Sequence, residues 1–247
     1  MNILAIGGGE NGRPGQPYEI KQFDEEIVRM TGKENPNLLF IAFTQKSAEG
    51  AENYYEIIKR NFSNIGCNCE HLREADIADM NLVKQKINTA DIIYVGGGNT
   101  LRLMNILRKY NIDKLLKEAG ETGTVLCGVS AGAICWCNHG NSDSRRFTSN
   151  STQLIKVTGL GFVPVLFCPH FDSEGARKED LKRMMKTTKG VAVAFESCSA
   201  LQIKGNNYKV IKCKDNVKAW KCYWEKGNYI KHELTLEGTL EELAIKS

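Results

Sequence analysis

A serine lies at the centre of a short glycine-flanked segment, Gly128-Val129-Ser130-Ala131-Gly132. This G-x-S-x-G pattern is typical of the sharp strand-to-helix turn that holds a nucleophilic hydroxyl above a sheet. The helix that follows such a turn points free N–H groups at developing negative charge. Ser130 is therefore the candidate nucleophile of an acyl-transfer reaction, and a tight turn with an inert serine is the alternative.

A serine nucleophile needs a base, and the sequence contains four histidines. His170 directly follows the apolar run 163–168, in the segment Cys-Pro-His-Phe-Asp. A strand end is the place from which an imidazole could meet Ser130, so we predict that His170 is the base. His139, which comes shortly after the helix that Ser130 begins, is the alternative.

The base needs a carboxylate that fixes its tautomer and orientation. Glu196 follows the apolar run 191–195 and would reach the same edge of a sheet as His170. Asp143 lies in Asn-Ser-Asp-Ser-Arg-Arg, where it is equally well explained as a turn residue that bonds to backbone. The sequence leaves the choice between these two acids open.

An oxyanion hole needs two backbone donors, and the amide of Ala131 is one candidate. Gly97 or Gly98 would supply the other, because a glycine loop brings bare N–H groups close to a substrate. Asn99 and Arg177 are candidates for substrate binding, Arg177 as a cation for an acidic side chain. Three further arginines are available and, like Arg177, are equally well explained as surface charges: Arg102, Arg145 and Arg146.

The other glycine and cysteine motifs do not indicate a cofactor or a metal. The loop at Gly97 lacks the Lys-Ser/Thr ending of a phosphate-binding P-loop. The fingerprint Gly7-x-Gly9-x-x-Gly12 is followed by Arg-Pro-Gly, which prevents an immediate helix. The nine cysteines include two Cys-x-Cys pairs but no Cys-x-x-Cys zinc spacing. We predict reduced thiols, no metal and no cofactor.

The elements that must position these residues are indicated by the hydrophobic pattern. Apolar runs typical of buried strands occur at 2–6, 37–43, 67–72, 91–95, 124–129, 163–168 and 191–195. Helical spacing occurs at 16–31, 48–62, 82–87, 101–110, 113–119 and 176–187. This alternation predicts a three-layer, doubly wound α/β fold with a mostly parallel sheet, whose ligands bind at the carboxyl ends of the strands.

Two segments depart from this alternation. Residues 138–162 lack strong periodicity and are predicted to form a long loop near the site. Alternating runs at 200–204, 208–213, 217–224 and 228–233 predict an antiparallel β appendage over about 199–234. No linker or repeat is visible, so we predict a single domain over residues 1–247.

The composition restricts the class of protein. The chain has 247 residues, 42% hydrophobic and 25% charged, which is typical of a globular protein. No apolar run is long enough to span a bilayer, and no signal-peptide pattern is present, so we expect a cytoplasmic protein without membrane partners. The net charge of +4 comes without a basic stripe, which argues against nucleic acid. A homodimer stays open.

Several motifs together resemble peptidase family S51, which contains dipeptidase E and cyanophycinase. They are Tyr-Val-Gly-Gly-Gly-Asn-Thr at 94–100, Gly-Val-Ser-Ala-Gly-Ala at 128–133, Pro-His-Phe-Asp at 169–172, and Glu196 before an antiparallel tail. The resemblance runs over most of the chain. It implies a class I glutamine amidotransferase-like fold, Ser130 as nucleophile, His170 as base, and Gly97, Gly98 and Ala131 at the oxyanion positions. The implied activity is that of a serine peptidase, hydrolysing short peptides such as Asp-X.

Two other functions are alternatives to a peptidase. An α/β-hydrolase-type esterase would need a histidine late in the chain, for which His232 is the candidate. A non-catalytic binding or stress protein on the same fold would carry a Ser130 that does not react with a fluorophosphonate probe.

Overall fold

The computed structural model describes residues 1–172 and 175–246. Its strands are β1 (Asn2–Ile6), β2 (Asn37–Ile41), β3 (Asn68–Leu72), β4 (Ile92–Val95), β5 (Val125–Val129), β6 (Cys137–Ser142), β7 (Ile155–Thr158), β8 (Val163–Cys168), β9 (Ala192–Phe195), β10 (Ser199–Lys204), β11 (Asn207–Lys212), β12 (Ala219–Glu225), β13 (Asn228–Glu233) and β14 (Glu237–Thr239). Its helices are α1 (Lys21–Thr31), α2 (Ala48–Ser63), α3 (Met80–Thr89), α4 (Thr100–Lys109), α5 (Ile112–Glu121), α6 (Ala131–Ile134), α7 (Ser144–Ser149), α8 (Gly175–Met185) and α9 (Leu240–Ala244).

These strands form two sheets. The first has the order β14-β11-β10-β1-β5-β4-β2-β3, and the five neighbouring strands β1, β5, β4, β2 and β3 are parallel. The second has the order β13-β12-β9-β8-β6-β7, with β9, β8 and β6 parallel. The predicted α/β class with parallel strands at its centre is confirmed.

The C-terminal strands are antiparallel as predicted, but they do not form one separate appendage. Strands β10 and β11 extend the first sheet beside β1, whereas β12 and β13 extend the second sheet beside β9. Each parallel set would otherwise end in a strand with unpaired backbone groups, and the added strands pair those groups.

The two faces of the first sheet are covered by different elements. On one face, Leu4 and Ile6 pack with apolar side chains of α1 and α2, including Phe23 and Ile58. On the other face, a larger core joins the sheet to α3, α4, α5, α6 and the second sheet. Helix α8 covers the far side of the second sheet. The central strands are buried on both sides, which explains their continuous apolar runs.

The predicted loop over residues 138–162 is wrong, because it contains β6, α7 and β7. The sequence of β6 has few strand-forming residues, but its contacts with distant parts of the chain stabilise it as a strand. A Cβ atom at Gly140 would lie 2.3 Å from the side chain of Ile134, so the strand packs directly on α6. The buried hydroxyl of Ser142 donates to that of Thr100 over 2.9 Å.

The helix predicted from residue 16 begins at Lys21 instead. The residues before it form a loop closed by a bridge between Asn11 and Tyr18. The Tyr18 hydroxyl donates to the buried Asp24 carboxylate over 2.5 Å. The loop after β1 is thereby anchored to the first turn of α1.

All nine cysteines are free thiols. Among the residues that the structure describes, no helix combines the length and the apolar character needed to cross a bilayer.

Candidate active site

Ser130 occupies a strained turn between β5 and α6. Its backbone has φ 53° and ψ −104°, a conformation that costs free energy for any residue other than glycine. Its N–H donates to the carbonyl of Ile6 over 3.0 Å, which ties the turn to the end of β1. This is the local geometry expected of a nucleophile elbow.

The glycines on either side of the turn are required by the close approach of β4. A Cβ atom at Gly128 would lie 2.4 Å from the carbonyl oxygen of Val95, and one at Gly132 would lie 2.0 Å from it. Backbone atoms cannot give way as the end of a flexible side chain can. The G-x-S-x-G spacing thus lets the end of β4 pass against both arms of the turn.

His170 reaches the same place from the other sheet. It follows the carboxyl end of β8, and its N–H donates to the carbonyl of Gly7, after β1, over 2.9 Å. Its ring lies against Gly8, where a Cβ atom would be 2.5 Å from Nδ1. The glycines after β1 therefore hold the imidazole on the first sheet, although its strand belongs to the second.

Ser130 and His170 line one cavity of about 560 Å³, a size suited to a small organic ligand. Three more predicted site residues line it: Gly97, Gly98 and Asp143. The residues that line it without having been predicted from the sequence include Glu10, Asn11, Arg13 and Tyr54. The first three lie in the glycine-rich loop after β1, whose position at the carboxyl end of a strand was the available signal.

The glycine loop after β4 lies beside the nucleophile. A Cβ atom at Gly97 would be 3.8 Å from Cβ of Ser130. The Gly97 amide donates to the Tyr54 hydroxyl over 3.2 Å, and burial raises the pKa of Tyr54. Ala131 is the first residue of α6, so its N–H has no partner within the helix. Because the Gly97 amide is already bonded to Tyr54, the amides of Gly98 and Ala131 are the better candidates for the oxyanion hole.

The two candidate acids have different surroundings. The Glu196 carboxylate accepts hydrogen bonds from the backbone N–H of Lys218 over 2.8 Å and from Trp220 Nε1 over 3.1 Å. These bonds tie Glu196 to β12, and it does not line the cavity. Asp143 does line it, at the start of α7.

The two residues predicted to bind substrate both have structural contacts. Arg177 is 1% exposed, and its guanidinium donates to the backbone and side-chain oxygens of Asn141 over 2.9 and 3.0 Å. Asn99 caps α4 by accepting from the Arg102 amide over 3.0 Å. Neither lines this cavity, and the burial of Arg177 corrects the expectation for that residue. Asn99 lines a neighbouring cavity, so its role in substrate binding stays a prediction.

The cavity nonetheless carries charges of both signs. Arg146, one of the alternative cations, lines it together with Arg13. Arg13 forms an ion pair with Glu10 over 2.6 Å. Two acids and two arginines around one opening suit a zwitterionic substrate.

The other three histidines lie elsewhere, and all four belong to the described part of the chain. His139 lies in β6, and burial lowers its pKa. His232 is exposed on β13, where it contacts Tyr223 edge-on at 6.1 Å between ring centroids. Neither His139 nor His232 lines the cavity, so the late histidine that an esterase would use as its base does not lie at Ser130. No cluster of potential metal ligands occurs within residues 1–172 and 175–246.

Comparison with known proteins decides the family. The model of peptidase family S51 matches residues 3–211. The chain belongs to peptidase family S51. It is 34% identical over 177 residues to the uncharacterized peptidase YgaJ of Bacillus subtilis, a match covering 71% of each protein. It is 28% identical over 218 residues to Peptidase E of Shewanella amazonensis, covering 84% of this chain and 85% of that one.

Two solved structures share the fold of this S51 protein. A peptidase from an acI-B1 Actinobacterium superposes with a TM-score of 0.71 at 19% identity, covering 96% of both chains. A putative Peptidase E from Listeria monocytogenes gives a TM-score of 0.62 at 21% identity, covering 85% of this chain and 98% of that one. The resemblance stated from the motifs is confirmed, and membership of the family supports a peptidase.

Proposed function

We propose that this S51 family member is a serine peptidase that hydrolyses short peptides through an acyl-enzyme. The observation that carries the proposal is the common cavity of Ser130 and His170. Two different sheets supply these residues, and the serine is held in a strained backbone conformation between a strand and a helix. The two therefore have the local setting of a nucleophile and its base.

In the proposed reaction, Ser130 Oγ attacks the peptide carbonyl while His170 takes up the hydroxyl proton. The amides of Gly98 and Ala131 stabilise the oxyanion of the tetrahedral intermediate. His170 then gives its proton to the leaving amine as the C–N bond breaks. Water, deprotonated by His170, then attacks the acyl-enzyme. The bond between Ser130 Oγ and the acyl group breaks, the acid product leaves, and His170 returns the proton to Ser130 Oγ.

We assign the third member of the triad to Asp143. Its position at the cavity supports this choice, whereas the Glu196 carboxylate is bonded to β12. Asp143→Asn should lower kcat by about 100-fold or more, because the imidazolium loses its counter-charge. Glu196→Gln is the matched comparison and should affect mainly stability. The opposite result would assign the role to Glu196.

The charges of the cavity support a preference for peptides with an acidic first residue, such as Asp-X. Arg146 would pair with the acidic side chain, and Glu10 would pair with the terminal ammonium. A library of dipeptides with a varied first residue measures this preference directly. We expect Arg146→Ala to reduce the advantage of aspartate over alanine as the first residue.

The proposal is tested with a fluorophosphonate probe and the same dipeptide library. Ser130→Ala should abolish labelling and lower kcat/KM by at least about 1000-fold, and His170→Ala should have a similar effect. His232→Ala is the matched histidine control and should behave as the wild type. Hydrolysis that survives Ser130→Ala contradicts the proposal, and a wild type without labelling or hydrolysis favours a non-catalytic binding protein.

A further inference from the structure

A second, open cavity of about 670 Å³ adjoins the catalytic cavity. Gln45 and Phe147 line both cavities, so the two lie next to each other. We call the second one the outer groove, and its lining residues include Lys46, Asn99, Leu101, Arg102, Ile106 and Phe147. A ligand held at Ser130 that passes Gln45 would reach the surface of α4.

Apolar side chains are unusually exposed in the outer groove. In the part of the chain that the structure describes, five large apolar side chains are exposed, and Leu101 at 39% and Phe147 at 49% are two of them. Both line the outer groove, together with the largely buried Ile106. Exposed apolar groups gathered beside a catalytic cavity are typical of a surface that binds part of a ligand.

The charge of the outer groove is positive. Lys46 and Arg102 line it, and the described residues contribute no carboxylate to its lining. Arg102 is paired with Glu74 over 2.6 Å, whereas Lys46 takes part in none of the ion pairs found among the described residues. The groove therefore attracts a ligand carboxylate and disfavours an ammonium group.

A third cavity of about 350 Å³ also borders Gln45, but its lining includes three carboxylates, those of Glu49, Glu52 and Glu74, which disfavour a substrate carboxylate. There the Glu52 carboxylate pairs with Arg73 over 3.1 Å and with His71 over 3.3 Å. The outer groove, with its exposed lysine and apolar side chains, is thus the better extension of the site.

We propose that the enzyme removes the N-terminal residue from peptides longer than dipeptides, with the C-terminal part of the substrate in the outer groove. An apolar side chain packs against Leu101 and Phe147, and the terminal carboxylate pairs with Lys46. The direction follows from charge, because the substrate's ammonium end is disfavoured there. This inference rests on the proposed peptidase chemistry at Ser130.

The apolar contact is tested with the peptides X-Ala and X-Ala-Leu, where X is the first residue that the dipeptide library favours. Leu101→Ala should lower the ratio of kcat/KM for X-Ala-Leu to that for X-Ala by about tenfold. Leu236→Ala removes an exposed leucine outside the groove and should leave the ratio at its wild-type value. An unchanged ratio in Leu101→Ala overturns the apolar contact.

The carboxylate contact is tested by amidating X-Ala-Leu. In the wild type the amide should have a KM about tenfold higher than the free acid, and in Lys46→Ala this difference should disappear. Lys46→Arg should restore it, and Lys84→Ala on α3 should leave it unchanged. Equal use of the acid and the amide by the wild type overturns the proposed direction.

Binding separates failure of the groove from failure of the chemistry. Calorimetry with the Ser130→Ala protein and Asp-Ala-Leu should give a Kd about tenfold lower than with Asp-Ala, and adding Leu101→Ala should remove the difference. This result supports the groove even if hydrolysis proves independent of Ser130. Equal binding of the two peptides overturns the groove even if Ser130 is the nucleophile.

Discussion

The imidazole of His170 packs on bare backbone at Gly8, where a Cβ atom would lie 2.5 Å from Nδ1. Gly8→Ala should therefore displace the ring and lower kcat/KM by about 100-fold, because an error of about 1 Å between reacting groups has that effect. Circular dichroism should show an unchanged fold. Steady-state kinetics with the preferred dipeptide measures the loss.

Gly15→Ala is the matched control for Gly8→Ala. Gly15 belongs to the same loop and also has a positive φ, but no atom lies within 4 Å of its would-be Cβ. Its backbone cost should appear in stability and not in kcat/KM. Equal kinetic losses in the two variants would mean that loop strain, and not the position of His170, causes the effect.

The contact between α8 and β6 depends on Arg177, which has the chemistry of a substrate-binding cation but the position of a core residue. Arg177→Lys keeps the charge and loses the planar fork that donates to Asn141. The free energy of unfolding should fall by about 1 to 3 kcal/mol. Urea unfolding measures this, and KM should stay within about twofold of wild type. Arg183→Lys, exposed on the same helix, is the control, and a raised KM with unchanged stability would return Arg177 to the site.

The regular elements could be predicted where burial alone determines the sequence. Strands such as β1 and β5 are covered on both faces, so their apolar runs locate them. Strand β6 escaped prediction because its polar side chains are satisfied by distant partners such as Arg177. Local sequence contains no record of those partners.

The candidate site could be predicted where local packing determines the residue type. The spacing around Ser130 records the steric demand of Val95, and the position of His170 after an apolar run records a strand end. Residue type alone does not distinguish a side chain that binds substrate from one that binds its own protein. The partners of Arg177 and Glu196 are remote in sequence, and the partner of Asn99 is a backbone amide. The division of the strands between two sheets also depends on pairings far apart in the chain.

The stability of the whole molecule should depend on the protonation of Asp24. Its carboxyl is fully buried, and burial raises its pKa from 3.8 to about 7, although the bond from Tyr18 opposes this. The unfolded chain loses the same proton near pH 4. Between about pH 4 and 7 unfolding therefore releases a proton, and the free energy of unfolding falls as the pH rises.

Asp24→Asn should remove this dependence while keeping an acceptor for Tyr18. The free energy of unfolding of the variant minus that of the wild type should increase by up to about 4 kcal/mol from pH 4 to pH 8. Urea titrations at the two pH values measure the difference, with the exposed Asp215→Asn as control. Parallel curves for wild type and Asp24→Asn would contradict the effect of burial.

The separate origins of Ser130 and His170 have a consequence for the nascent chain. The serine is synthesised before β8, and the imidazole reaches it only when the second sheet docks against the end of β1. Under the proposed chemistry, no half-made chain can cleave peptides. Recovery of hydrolysis during refolding would then report the final docking event, later than the return of helical and strand signals.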